Sequence, residues 1–221
     1  MSLFVFNQCT KKVVPSSPKD SSLTFLALGD SYTIGESVLK NGRWPVQLVA
    51  NLKSKGLSFN DPKIIAKTGW TTSDLNAAID NVSPKSDYDL VSLLIGVNNQ
   101  YRGFSAASFK PEFEALLERA IGFAGGDKAK VFVVSIPDYG ETPFGQSRNP
   151  SKIGKELDEY NQVQKTICKN QGIAFIDITP ISRKAISDGT LVANDGLHPS
   201  AKMYAEWVKL MSTDVFTLVS K

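Results

Sequence analysis

Along the chain, short continuous apolar runs alternate with longer stretches whose apolar residues recur every three to four positions. The runs fall at 23–28, closed by Gly29, then at 63–67, at 90–95, closed by Gly96, at 130–136, closed by Pro137, and at 173–177. Short apolar runs between turn residues read as strands buried on both faces. The helical stretches lie between them. The first is 44–55, with Pro45 in its first turn and Gly56 past its end. The second is 73–79, where Ser73 and Asp74 suit a helix start. In the third, 109–123, Phe113, Leu116, Leu117, Ala120 and Ile121 share one face. The last two are 153–169 and 199–218, the latter with Pro199 in its first turn and a break near Ser212. Strands alternating with helices build βαβ units. The pattern therefore predicts one α/β domain, a three-layer α/β/α sandwich on a mostly parallel sheet of about five strands. Ligands of such sheets bind beyond the carboxyl ends of the strands.

Composition changes this picture little. With 221 residues, 42% hydrophobic and 21% charged, the chain is an ordinary globular one. Its 25 basic and 22 acidic residues leave a net charge of +3 with no long basic run, which gives no reason to expect nucleic acid. Cys9 and Cys168 stand far apart and form no ligand set with a histidine, so no metal or cofactor is expected. No apolar run approaches the ~20 residues a membrane-spanning helix needs. Residues 1–22 read as a flexible tail ahead of a domain at 23–221. The apolar residues 3–6, then Cys9, then a polar stretch with Pro15, Ser16, Ser17 and Pro18 resemble the end of a bacterial lipoprotein signal. The apolar run is short, no basic residue precedes it, and Gln8 stands where a small residue is usual. A lipidated Cys9 tethering the protein at the cell envelope and an incidental thiol on a tail both remain open.

The chemistry gathers at the strand ends. The first strand delivers Gly29-Asp30-Ser31-Tyr32, the second leads to Thr68-Gly69-Trp70, and the third delivers Gly96-Val97-Asn98-Asn99. Before the last helix stands Asp195-Gly196-Leu197-His198-Pro199, which holds the single histidine of the chain. A serine hydroxyl needs a base to take its proton, and His198 is the one imidazole available to Ser31. Asp195, three residues earlier, is spaced to orient the ring. The Ser31 N–H, the Gly69 N–H and the Asn98 side-chain amide supply donors for an oxyanion. Each block alone also has an ordinary reading, as a turn or a helix cap. No such reading explains their convergence on one sheet edge.

These blocks, in this order from Gly29 to Pro199, resemble the GDSL, or SGNH, hydrolase family of esterases and lipases. The family's Ser, Gly, Asn and His correspond to Ser31, Gly69, Asn98 and His198, with Asp195 as the triad acid. Tyr32 stands where the family name has leucine, and Asn99 where the third block usually has aspartate. The resemblance implies hydrolysis of a small-molecule acyl ester through an acyl-Ser31 intermediate. Tyr32, Ile34, Trp70, Tyr139 and Phe144 are expected to wall the substrate pocket, the last two from a long loop after the fourth strand. Tyr101 and Arg102 are expected at its edge, and Cys168 as a small buried hydrophobe. Within the family, a carbohydrate O-deacetylase competes with a lysophospholipase, a thioesterase or a general carboxylesterase. A reading from another class is a flavodoxin-like cofactor binder using 31–37 as a phosphate loop. Glu36 opposes it, and it leaves Asp195 and His198 unused.

Overall fold

The computed structural model describes residues 22–220, so Cys9 and nearly all of the expected tail lie outside the described residues. Five strands, β1 (Phe25–Gly29), β2 (Lys63–Ala66), β3 (Leu90–Leu94), β4 (Val131–Val134) and β5 (Ala174–Ile176), form one sheet in the order β2-β1-β3-β4-β5. Every pairing is parallel. β1, β3 and β4 are buried at every residue, which is why they read as unbroken apolar runs. Leu23, expected within the first strand, makes only an isolated bridge to Phe59.

The main helices are α2 (Trp44–Ser54), α3 (Thr72–Val82), α5 (Ala106–Phe123), α7 (Pro150–Gln171) and α9 (Ala201–Val219). Beside these the described residues form four single-turn α-helices: α1 (Ser31–Ile34), α4 (Val97–Tyr101), α6 (Pro143–Gln146) and α8 (Thr179–Ser182). The connection through α2 steps from β1 to β2 and those through α3, α5 and α7 step the opposite way along the sheet, so crossovers of the usual right hand put α2 on one face and the other three on the other. The packing agrees: α2 packs on α9, whereas α5 packs on both α3 and α7. On the α2 face, Ala27 and Ser92 are register neighbours with small side chains, and Phe132 follows them in the same row. They leave room for Trp44, whose ring centre lies 6.2 Å from that of Phe25 and 6.3 Å from that of Phe132.

Two expectations are corrected at the end of the chain. Pro199 is not in the last helix. Ser200 caps that helix by accepting from the Met203 N–H, and Pro199 pairs in an antiparallel bridge with Val192. The helix is also unbroken at Ser212, whose hydroxyl donates to the Lys209 carbonyl and accepts from Lys55 Nζ. A serine satisfied in this way does not need to leave the helix. The helix expected from 153 starts at Pro150, after an Asn149 cap. Cys168 is buried as expected, and burial pushes its thiol up to about 12, leaving it protonated.

Candidate active site

At the carboxyl end of β1 the chain turns sharply into α1. A Cβ at Gly29 would run into the Thr33 hydroxyl and the Leu94 carbonyl, so only glycine fits there. Asp30 caps α1 by accepting from the Tyr32 N–H at 3.0 Å, and Ser31 is the first residue of the helix, 4% exposed. Asp30 is fully buried, and burial pushes its carboxyl up to about 7 against the opposing hydrogen bonds from the Tyr32 and Asp30 backbone. Its Oδ2 has no hydrogen-bond partner among the described residues.

His198 is held from the other side of the sheet edge. Its carbonyl accepts from the Ala193 N–H at 2.7 Å, and the following Ser200 N–H donates to Leu191. This short antiparallel pairing, rather than a helical turn, fixes the imidazole. Nδ1 lies 2.7 Å from Asp195 Oδ2, and Asp195 Oδ1 accepts the backbone N–H groups of Leu197 and His198, both at 2.9 Å. The Ser37 hydroxyl also donates to Asp195 Oδ2. Burial alone would raise the Asp195 carboxyl. The donors from Ser37, Leu197 and His198 outweigh it and hold the group well below the usual carboxylate range. Ser37 reaches this position with φ of 63°, a left-handed conformation that costs a serine about 1 kcal/mol.

Ser31, Gly69, Asn98 and His198 line one cavity of about 200 Å³. Asn98 sits in α4, entered through Gly96 at φ 128°, and its Nδ2 donates to the Trp70 carbonyl at 2.9 Å. That bond orients the amide and leaves its second N–H free. Arg102 Nη2 donates to the Gly69 carbonyl at 2.8 Å, tying the same loop to the end of α4. Asn99 stitches a third point. Its Oδ1 accepts from the Thr72 N–H, and its Nδ2 donates to the Thr72 hydroxyl at 2.7 Å and toward Glu112 at 3.4 Å. The Thr72 hydroxyl itself donates to Glu112. An aspartate at 99 would set two carboxylates together here, so the departure from the usual block has a local partner in Glu112.

The remaining cavity walls are Tyr32, Thr68, Val97, Tyr101, Tyr139, Phe144 and Leu197. Of the residues expected to wall the pocket, Tyr32, Tyr139 and Phe144 line this cavity and Ile34 and Trp70 do not: Ile34 closes α1, and the Trp70 side chain packs half-buried against the core while its carbonyl holds Asn98. Tyr139 is fixed by its hydroxyl donating to Gln100, whose amide in turn donates to Glu156. Val97 and Leu197 were legible only as neighbours of Asn98 and His198. Ser37 carried no signal beyond lying near Ser31. The segment once open to a phosphate-loop reading instead sends Ser37 to Asp195 and Glu36 to the Thr68 hydroxyl. Among the described residues no group of three or more His, Cys, Asp or Glu side chains is placed to hold a metal ion. No described helix is long and apolar enough to cross a membrane.

A parallel sheet with a buried serine at the end of β1 and a carboxylate-bound histidine lining the same cavity defines an α/β/α protein of the SGNH hydrolase type. The chain belongs to the GDSL-like lipase/acylhydrolase family, whose family model matches residues 27–206. No curated protein matches the sequence. Solved structures with the same fold include TesA, at 17% identity and a TM-score of 0.67 over 88% of this chain and 99% of that one. A lipase/acylhydrolase from Enterococcus faecalis matches at 18% identity and a TM-score of 0.67, over 88% of this chain and 96% of that one. The acetyl xylan esterase AlAXEase matches at 17% identity and a TM-score of 0.68, over 87% and 100%.

Proposed function

We propose that the protein hydrolyses carboxylic esters through an acyl-Ser31 intermediate. The observation that carries this reading is one cavity lined by both Ser31 and His198, with the His198 ring 2.7 Å from Asp195. His198 takes the Ser31 proton as the hydroxyl attacks the ester carbonyl, then passes it to the departing alcohol oxygen. Asp195 fixes the ring with Nδ1 protonated and Nε2 free to act, and its carboxylate offsets the charge the imidazole gains. The tetrahedral oxyanion is met by the Ser31 N–H, the Gly69 N–H and the free Asn98 amide proton. Water, activated by His198, then releases the acid and restores Ser31. No step in this route calls on a metal ion.

The small cavity with its mostly apolar walls fits short acyl groups, and this also favours a second reading as an O-deacetylase of acetylated sugars. The acetyl xylan esterase with this fold is in line with that alternative. Both readings are tested by p-nitrophenyl esters from acetyl to palmitoyl, run beside acetylated xylo-oligosaccharides. Acetyl and butyryl esters are expected to turn over fastest, and Ser31→Ala to lower kcat by at least ~10³. Unreduced turnover in Ser31→Ala would remove Ser31 from the mechanism. Turnover confined to acetylated sugars would select the second reading.

A further inference from the structure

Arg148 lies between α6 and the Asn149 cap of α7, and its guanidinium is parked over the cavity wall. The guanidinium carbon is 4.1 Å from the centre of the Phe144 ring and 5.5 Å from that of Tyr101, and both rings line the cavity. Of the other four arginines, Arg102 pairs with Asp74, Arg119 with Asp80, and Arg183 with Asp138 and Asp158; Arg43 has no ion pair among the described residues, but it is half-buried and does not line the cavity. Arg148 is exposed and has no carboxylate partner among the described residues. A guanidinium resting over an aromatic ring keeps its N–H groups available at its edge, in the fork that matches a carboxylate or phosphate.

The position of Phe144 says which half of a substrate meets this charge. Its backbone N–H donates to the Gly196 carbonyl at 2.9 Å, which places it beside the segment carrying His198. If the proposed function holds, His198 must hand a proton to the departing oxygen, so the alcohol half of the ester lies on that side. At another part of the lining, Thr68 holds the Glu36 carboxylate on its hydroxyl, and an anion is disfavoured there. We propose that Arg148 binds an anionic group, a carboxylate or a phosphate, on the alcohol half of the substrate. The site is then selective for esters whose alcohol half carries an anionic group.

Matched ester pairs test this directly. Phenyl acetate is compared with 4-acetoxybenzoate, and 1-acetylglycerol with 1-acetylglycerol 3-phosphate. The readout is the anionic-to-neutral ratio of kcat/KM, compared between wild type and Arg148→Gln so that the intrinsic reactivities cancel. This ratio is expected to fall about tenfold or more in Arg148→Gln, mainly through KM, and less in Arg148→Lys. The fall should shrink at high salt, because the site is exposed. The pair with the larger fall identifies the anion. An unchanged ratio, with both members of a pair slowed alike, would make Arg148 only a brace for the aromatic wall and overturn the proposal.

A binding arm separates this proposal from the hydrolytic one. Calorimetric titration of Ser31→Ala is expected to show 4-acetoxybenzoate binding about tenfold tighter than phenyl acetate, a preference absent from Ser31→Ala with Arg148→Gln. If wild type hydrolyses none of these four esters, none of the p-nitrophenyl esters and none of the acetylated xylo-oligosaccharides, and that preference persists, the hydrolytic reading falls and the anion site stands. Equal binding of the two esters to Ser31→Ala removes the anion site whatever the activity.

Discussion

Replacing Asp30 by asparagine should reverse part of the protein's pH dependence of stability. The carboxyl is fully buried beneath the turn that presents Ser31, with one oxygen accepting the Tyr32 N–H and the other unpartnered among the described residues. Burial raises its pKa from 3.8 to about 7. The folded state therefore holds this proton more tightly than the unfolded chain. The stabilisation linked to it is complete below about pH 4 and is lost as pH rises through about 7. At 1.36 kcal/mol per pKa unit, the loss between pH 4 and pH 8 is about 4 kcal/mol, large beside the 5–15 kcal/mol of a typical domain. The substitution needs no new contact: the asparagine amide keeps a carbonyl oxygen for the Tyr32 N–H and removes the ionisation. Urea unfolding of wild type and Asp30→Asn at pH 4, 6 and 8 measures the effect as a difference of differences, in which all other titrating groups cancel. Asp30→Asn is expected to gain on wild type as pH rises, by up to that amount. Parallel profiles for the two proteins would show that Asp30 does not carry a raised pKa, and the reasoning from burial would fail.

Asn99→Asp should destabilise the protein by about 1–3 kcal/mol at neutral pH, because the new carboxylate faces Glu112 and leaves Thr72 without its donor. The loss should diminish in acid as that pair takes up a proton, and urea unfolding at pH 5 and pH 8 checks the sign. Asn98→Ala removes the proposed oxyanion donor and should lower kcat by ~10²–10³, with kcat/KM falling in step; a rise in KM alone would recast Asn98 as a binding residue. Ser37→Ala removes one donor from Asp195 and should slow kcat by up to about tenfold, on the order of 1 kcal/mol, as initial-rate kinetics on a short-chain ester would show.

The sheet was legible because its central strands are buried on both faces and so carry unbroken apolar runs. Helix ends were less so. Asn149, Thr71 and Ser200 are the caps that set the starts of α7, α3 and α9, and hydrophobic periodicity marks a helix's buried face rather than the polar residue that caps it. Pro199 suited a first helical turn by its fixed φ, yet long-range pairing with Val192 holds it in an extended segment, and no local rule contains that partner. At the site, Ser31, Gly69, Asn98 and His198, read together from blocks near the strand ends, line one cavity, and Asp195, three residues before His198, holds its ring. Ser37 was hidden because it reaches Asp195 across 158 positions of sequence. Ile34 and Trp70 were misplaced for a related reason: adjacency to a key residue does not say which wall a side chain joins.

Labelling with a fluorophosphonate followed by peptide mass spectrometry asks whether Ser31 is the nucleophile. A single adduct is expected, on the peptide containing Ser31, formed in step with the loss of ester hydrolysis. No adduct is expected in Ser31→Ala, and labelling should be slowed in His198→Ala. An adduct on any other residue, or full inactivation with Ser31 unmodified, would contradict Ser31 as the nucleophile.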